Sequence, residues 1–356
     1  MGDIKLMKGN EALAEAMIRA GCDAYFGYPI TPQSEVLEYL SIHATKRTGM
    51  VVLQAESELG AINMIYGAAG AGKRVMTTSS SPGISLMMEG ISYIAGAELP
   101  CLVANINRGG PGLGTIQPSQ GDYFQAVKGG GHGDYKMVVF APARVQEMVD
   151  FVRIGFEVAE KYRNPVMILA DGAMGQMMEK VELFPQMERS KEIKPWATTG
   201  RKGLRKQNII TSLFIQSEEM EQVNLRMQAK YREIERTEVR VQTMNLDDAE
   251  YVITGYGLCA RICMKTMDLA REKGYKLGLI RPITLYPFPY STYKEIAPKV
   301  KGIFDVEMNA GQMVEDVRLG VEGKTEVKFY GRMGGMIPNP EEIFEQFEKQ
   351  FIYGGK

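Results

Sequence analysis

The chain has 356 residues, 45% of them hydrophobic and 24% charged. That is the length of about two domains with an ordinary globular composition, which excludes collagen-like, coiled-coil and disordered architectures. Forty-two basic residues against 43 acidic leave a net charge of −1. This excludes a protein whose main task is to neutralise a nucleic-acid backbone, but leaves room for one small anionic ligand in a local basic pocket.

In chain order, short β-rich runs alternate with helical patterns through residue 185. Strands are expected at 24–30, 50–54, 74–78, 101–106, 137–140 and 166–170, and helices at 10–20, 32–43, 58–69 and 144–162. Nearly continuous apolar strands separated by helices predict a doubly wound α/β domain, its parallel sheet covered on both faces. From about residue 188 the chain turns polar. Residues 215–242 are charge-rich, with Met220, Val223, Met227, Tyr231 and Ile234 at three- and four-residue gaps, which predicts an amphipathic connector helix. The α/β pattern resumes at 250 with YVITGYG, a helix through 259–273, strands at 276–280 and IFDVE, a helix near 311–319, and KFYG. The organisation expected is an α/β domain at 1–187, a linker at 188–247 and a smaller α/β domain at 248–356.

The cysteines, Cys22, Cys101, Cys259 and Cys263, are too few and too scattered for a disulfide framework. They lack CxxC spacing, and Cys259 and Cys263 share one helix face, so all are read as buried, reduced thiols rather than cluster ligands. The first residues carry no apolar leader core, and no stretch approaches the roughly 20 apolar residues of a membrane span. A soluble, cytoplasmic protein with no membrane partner is expected.

Open α/β sheets bind ligands at the carboxyl ends of their strands, and four such ends are polar here. The first, Tyr28-Pro29-Ile30-Thr31-Pro32-Gln33-Ser34-Glu35, is expected to start a helix, with Thr31 as N-cap and Pro32 at the first helical position. Its free N–H groups would suit an anion, although a plain capped helix explains the same residues. The second, Gln54-Ala55-Glu56-Ser57-Glu58, puts two carboxylates at a strand–helix junction. They could do proton chemistry or merely complement the helix dipole. The third, Thr77-Thr78-Ser79-Ser80-Ser81-Pro82-Gly83, offers small side chains that let a ligand approach the backbone. The fourth, Asn105-Ile106-Asn107-Arg108-Gly109-Gly110-Pro111-Gly112, continues to Gln117-Pro118-Ser119-Gln120-Gly121-Asp122. It places Arg108 in a glycine-rich loop, either to grip a carboxylate bidentately or as a solvated loop residue.

Two look-alikes are set aside. Gly67–Lys73 nearly spells a P-loop, but Arg74 stands where Ser or Thr is needed and the segment runs from helix to strand. Gly255-Tyr256-Gly257 lacks the third glycine of a dinucleotide turn. His43, read as ending a helix, and His132, in a flexible loop, are too few for a catalytic triad or a histidine-rich metal site.

Together and in order, YPITPQSE, QAESELGA, TTSSSPGISLMMEG and NINRGGPGLGT resemble the alpha chain of the 2-oxoacid:ferredoxin oxidoreductases. The likeness continues through ILADGAMGQM, YVITGYG, GLIRPITLYPFP and VEMNAGQM, so it spans essentially the whole chain. It is nearest to the branched-chain, 3-methyl-2-oxobutanoate (2-ketoisovalerate) subfamily. The resemblance implies a thiamine-diphosphate pyrimidine-binding-type domain followed by a smaller transketolase C-terminal-like α/β domain. It also implies oxidative decarboxylation of a 2-oxoacid to an acyl-CoA, with CO2 release and electrons passed to ferredoxin. By match to the family's motifs, Glu58 is the carboxyl that hydrogen-bonds N1′ of the aminopyrimidine and favours its imino tautomer, with Glu56 as second choice. Pro29, Ser80 and Gly83 join it as cofactor-binding positions. Arg108 would take the substrate carboxylate, and Thr31 a keto or carboxylate oxygen.

Thiamine enzymes hold the diphosphate through magnesium with a GDG motif followed later by Asn. Here Ala170-Asp171-Gly172 lacks the first glycine, and Lys194-Pro195-Trp196 occupy the region of the Asn. The chain is therefore expected to hold no metal and to supply the pyrimidine half only. A beta subunit would bring the diphosphate cradle and Mg2+, and gamma and ferredoxin-like delta subunits would complete the assembly. The iron–sulfur clusters and CoA would lie on or with these partners. The alternatives are a 2-oxoglutarate or pyruvate alpha subunit, a non-catalytic assembly subunit of the same complex, and a transketolase-like half-enzyme.

Overall fold

The computed structural model describes residues 3–200 and 205–354. The chain runs β1 (Asp3–Lys8), α1 (Gly9–Arg19), β2 (Ala24–Gly27), α2 (Ser34–Thr48), β3 (Val51–Gln54), α3 (Glu58–Gly70), β4 (Val75–Ser79), α4 (Ser81–Gly96) and β5 (Cys101–Asn107). Then come α5 (Tyr123–Val127), β6 (Val138–Phe140), α6 (Val145–Tyr162), β7 (Pro165–Asp171), α7 (Gly172–Gln176) and β8 (Met178–Leu183). Local chemistry sets the ends. Gly49, in the left-handed conformation, stops α2. Pro82 lies in the first turn of α4, where its missing N–H costs nothing.

A seven-stranded sheet has the order β12-β6-β7-β5-β4-β2-β3, where β12 (Thr284–Tyr286) comes from the far half of the chain. It is parallel except for β12, which pairs antiparallel with β6. The central strands β5 and β7 are buried at every residue, as a sheet covered on both faces requires. On one face, α1, α2 and α6 pack around Leu13, Met17, Leu40, Val149 and Phe156. On the other, α3 and α4 pack together with Tyr256, Phe288, Tyr293 and Val317 of the C-terminal half. Strand order reverses between β2 and β4, so the crevice beyond their carboxyl ends is the topological switch point where such sheets bind ligands.

The amphipathic connector is α8 (Ser217–Thr237), and Val223, Met227, Tyr231 and Ile234 are its buried stripe, packed on the first domain. A five-stranded sheet follows, with β9 (Val241–Met244), β10 (Tyr251–Thr254), α9 (Gly257–Glu272), β11 (Leu277–Pro282), α10 (Tyr290–Ile296), β13 (Gly302–Glu307), α11 (Met313–Val321), β14 (Glu326–Gly331) and α12 (Pro340–Phe347). Its order is β14-β13-β10-β11-β9. β9, in the stretch read as linker, pairs antiparallel with β11. The two halves are bolted together by Arg281, whose guanidinium pairs with Glu147 of α6 (Nη1···Oε1 2.9 Å). Among the described residues, no helix is long and apolar enough to cross a membrane.

Candidate active site at the carboxyl ends of the first sheet

Glu58 is the first residue of α3, capped by the Ser57 hydroxyl, which accepts from Gly60 N at 3.2 Å. It is only 4% exposed. Ser79, at the end of β4, donates its hydroxyl to Glu58 Oε1 at 3.4 Å. A Cβ built on Gly83 of α4 would overlap both Glu58 Oε1 and Ser79 Oγ. The carboxyl therefore occupies the space that glycine leaves in the second strand-end motif's neighbour helix. Glu56 is exposed on the other side of the junction, with Ser57 Oγ 3.4 Å from its Oε1. Burial separates the two acids that spacing alone left equal.

The turn after β2 departs from expectation. Thr31 does not cap a helix, because α2 begins at Ser34 with Gln33 at its N-cap. The reason lies in Gln33, a fully buried side chain. Its amide donates to Tyr28 O at 3.1 Å and accepts from Thr78 Oγ1 at 2.5 Å, which holds residues 30–33 in a turn closed by Gln33 N to Ile30 O. Thr31 and Pro29 are both exposed on that turn.

The same turn meets Arg108, one residue past β5. Arg108 Nη1 donates to Thr31 O at 3.0 Å and Nη2 to Leu113 O at 3.2 Å, while Nε is buried without a partner. Arg108 N donates to Ser81 Oγ at 3.1 Å. The first turn of α4 thus touches both ends of the site: Gly83 beside Glu58, and Ser81 beside Arg108. Ser80 donates its hydroxyl to Ile106 O at 2.7 Å instead of capping α4.

Residues without an assigned role complete the framework. Asn105 donates to Asp122 at 2.8 Å. Burial raises the Asp122 carboxyl above the ordinary range despite hydrogen bonds from Ser81 and Asn105. Gln120 fastens this loop to the second domain, donating to Tyr256 O at 2.8 Å and accepting from Met308 N at 3.0 Å. The Gly255-Tyr256-Gly257 turn is therefore a domain contact. In the VEMNAGQM block, Glu307 accepts the backbone N–H groups of Gln312, Met313 and Val314 at 2.9–3.1 Å, satisfying the start of α11. The Gly67–Lys73 run closes α3, with Gly72 at φ +76°. His43 lies inside α2 rather than at its end, and His132 is exposed on its loop. All four cysteines are buried and free.

Residues 15–246 match the family described as pyruvate flavodoxin/ferredoxin oxidoreductase, thiamine diphosphate-binding, and residues 249–343 match pyruvate:ferredoxin oxidoreductase core domain II. The chain is 47% identical over 348 residues to ketoisovalerate oxidoreductase subunit VorB of Methanothermobacter thermautotrophicus, covering 97% of each. It is 36% identical over 363 residues to 2-oxoglutarate synthase subunit KorA of Methanocaldococcus jannaschii, covering 96% of this chain and 98% of that one. Its fold matches the 2-oxoglutarate:ferredoxin oxidoreductase of Magnetococcus marinus with a TM-score of 0.87 at 27% identity, over 98% of this chain and 65% of that chain's length. A split-gene transketolase matches in fold alone, with a TM-score of 0.60 at 12% identity over 96% of this chain and 97% of that one. The family matches cover both halves and the VorB and KorA relatives align over nearly their whole length, so the chain belongs to the 2-oxoacid:ferredoxin oxidoreductases, as an enzyme subunit with a thiamine-diphosphate-binding N-terminal domain.

Proposed function

We propose that this chain is the alpha subunit of an enzyme that oxidatively decarboxylates 3-methyl-2-oxobutanoate to an acyl-CoA, releasing CO2 and reducing ferredoxin. Its share of the work is the pyrimidine side of thiamine diphosphate and the carboxylate of the substrate. The observation that carries this is the Glu58 carboxyl, buried at a strand-end helix start in a cradle that a Cβ on Gly83 would fill. These residues fit an aminopyrimidine: a carboxyl to share a proton with a ring nitrogen, and a glycine that leaves room beside it.

When bound, thiamine diphosphate supplies a nucleophilic carbon for the keto group and a sink for the electron pair left by CO2. Glu58 holds the proton at the ring nitrogen, oriented by the Ser79 hydroxyl. Pro29, Ser80 and Gly83 line the approach. Arg108 is anchored by the Thr31 and Leu113 carbonyls, which leaves the remaining N–H groups of its two terminal nitrogens for a carboxylate. The exposed Thr31 hydroxyl is within the same turn to meet a keto or carboxylate oxygen.

Partner subunits follow from what surrounds and what is buried. Leu59, Leu86, Leu113 and Ile116 are large apolar side chains left exposed around Glu58 and Arg108, which supports a protein surface covering the site. We assign that surface to a beta subunit bringing the diphosphate cradle and Mg2+. Burial pushes the Cys22 and Cys101 thiols up to about 12, and Cys259 and Cys263 well above the ordinary thiol range. None offers a thiolate, so the iron–sulfur clusters belong to gamma or ferredoxin-like delta subunits, with CoA bound on or with these partners. Reduced, buried thiols also suit a cytoplasmic setting. The branched-chain substrate is supported by 47% identity to a ketoisovalerate oxidoreductase subunit against 36% to a 2-oxoglutarate one.

Co-expression with the neighbouring subunits, followed by CoA-dependent ferredoxin reduction with a panel of 2-oxoacids, tests the proposal. The highest kcat/KM is expected for 3-methyl-2-oxobutanoate. A preference for 2-oxoglutarate or pyruvate would reassign the substrate, and no turnover with any 2-oxoacid would favour the assembly role.

A further inference from the structure

We infer that Asn10 is a positioning residue for Arg108, acting through the Pro32 carbonyl and the turn that carries Thr31; this rests on the reading of Arg108 as the carboxylate-binding residue. Asn10 is the second residue of α1 and is completely buried. Its Nδ2 donates to Pro32 O at 2.7 Å and to Glu35 Oε2 at 2.9 Å. Gln176, the last residue of α7, grips the same two groups from the other side, with Nε2 2.7 Å from Glu35 Oε1 and 3.4 Å from Pro32 O. Two carboxamides from different elements therefore hold one carbonyl of the turn and one carboxylate at the start of α2. Burial opposes ionisation of Glu35, but hydrogen bonds from Gln176, its own backbone N–H and Asn10, with the Lys8 charge, outweigh it and lower its pKa.

The packing that brings them together tolerates little change. A Cβ on Gly175 would stand 2.6 Å from Asn10 Oδ1, and one on Gly9 would overlap Met174 O. Asn10 Oδ1 itself has no partner. A buried acceptor left unpaired costs stability, a cost that the two hydrogen bonds of Nδ2 offset. What Asn10 offers is its pair of donors, one spent on the Pro32 carbonyl of the turn and the other on Glu35 at the start of α2. One residue before the held carbonyl, Thr31 O accepts Arg108 Nη1 at 3.0 Å. Releasing Pro32 lets the Thr31 carbonyl shift, and with it the anchored edge of the guanidinium.

The test uses the complex purified with its partner subunits and compares Asn10→Ala, Arg108→Lys and the double variant. Asn10→Ala is expected to raise KM for the 2-oxoacid about tenfold, the effect of losing a buried hydrogen-bond pair. KM for CoA should stay near wild type, while the melting temperature falls, because Pro32 O and the Glu35 carboxylate each lose a donor. The double variant should be no worse than Arg108→Lys alone, because both act at one point. Gln176→Ala, at an exposed residue, should shift KM the same way by less, and serves if Asn10→Ala does not fold. If Arg108→Lys is impaired but Asn10→Ala, or Gln176→Ala in its place, is not, the positioning role is lost. Effects that add in the double variant, or that raise KM for CoA equally, overturn it as well. If Arg108→Lys keeps wild-type kcat and KM for every 2-oxoacid, the reading of Arg108 falls first.

Discussion

Glu56 and Glu58 stand two residues apart on one junction, and only Glu58 turns inward, under Ser79 and against Gly83. Glu58→Ala in the assembled enzyme is expected to lose on the order of 10²–10⁴ in turnover, the range for a positioned acid/base group, while cofactor still binds. Proton exchange at the reactive carbon of bound cofactor, followed by NMR, is the direct readout; wild-type exchange in the variant would transfer the role to Glu56. Asp171 makes a different prediction, about stability. Its Oδ1 caps α7, accepting from Ala173 N at 2.9 Å and Met174 N at 3.0 Å, yet burial raises its pKa from 3.8 to about 6. In the unfolded chain the carboxyl ionises near its ordinary value, so between these values the folded state binds more protons. The stability present at low pH is therefore lost as pH rises through about 6. Asp171→Asn keeps the capping oxygen and removes the buried charge. Above that pH it should unfold at higher denaturant than wild type, by on the order of 3 kcal/mol, with the gap shrinking towards pH 4. A constant gap across pH would mean that some other group sets the dependence.

At the scale of elements, β3, which leads into Glu58 and reads as a buried strand, is a mostly exposed edge strand. The central strands of the first sheet were legible because they are apolar enough to be read locally: β4, β5 and β7 are buried throughout. The same holds for α8, whose charged exterior leaves its stripe in plain view. Ile234, buried at the end of that stripe, anchors it on the first domain. Ile234→Ala should cost roughly 2–5 kcal/mol, read as a lower denaturation midpoint of the complex-free chain; an unchanged midpoint would show that the connector is not part of the cooperative fold. Less legible were pieces whose conformation depends on distant partners. β12 is three residues long and is a strand only because Thr284 pairs with Phe140. The ribbon of β1 and β8 pairs Lys5 with Val181 and Leu6 with Lys180 across most of the first domain's sequence, and its mixed polar faces resemble loop. The turn at 28–33 misled for a sharper reason. Thr31-Pro32 satisfies local rules for a helix start, but tertiary bonds from Gln33 to Thr78 and Tyr28 outweigh them. Asn10 carries no local signal at all, since its role exists only where α1, α2 and α7 meet.

Across the whole molecule, the candidate site lies at the carboxyl ends of the first sheet's strands, with Glu58 buried and Thr31 exposed. Glu58, Thr31 and Arg108 all sit at strand ends of the first sheet, beside exposed Leu59, Leu86 and Leu113. The second domain is tied to this same end through Gln120, Tyr256 and Met308, so it braces the loop that carries Arg108. Asp171, the acidic residue of the stretch nearest in sequence to a magnesium–diphosphate motif, is occupied in capping α7. Most of the cofactor's anchoring energy comes from its charged end, where metal bridging and charge-assisted hydrogen bonds are strong. The isolated chain should therefore bind thiamine diphosphate weakly or not at all, with or without magnesium, and should show no 2-oxoacid turnover. Titration calorimetry of the purified chain, repeated after addition of the beta subunit, makes the comparison. Tight binding that appears only with the partner supports a site shared between chains. Micromolar or tighter binding by the chain alone would place the diphosphate cradle on this polypeptide and overturn the shared site.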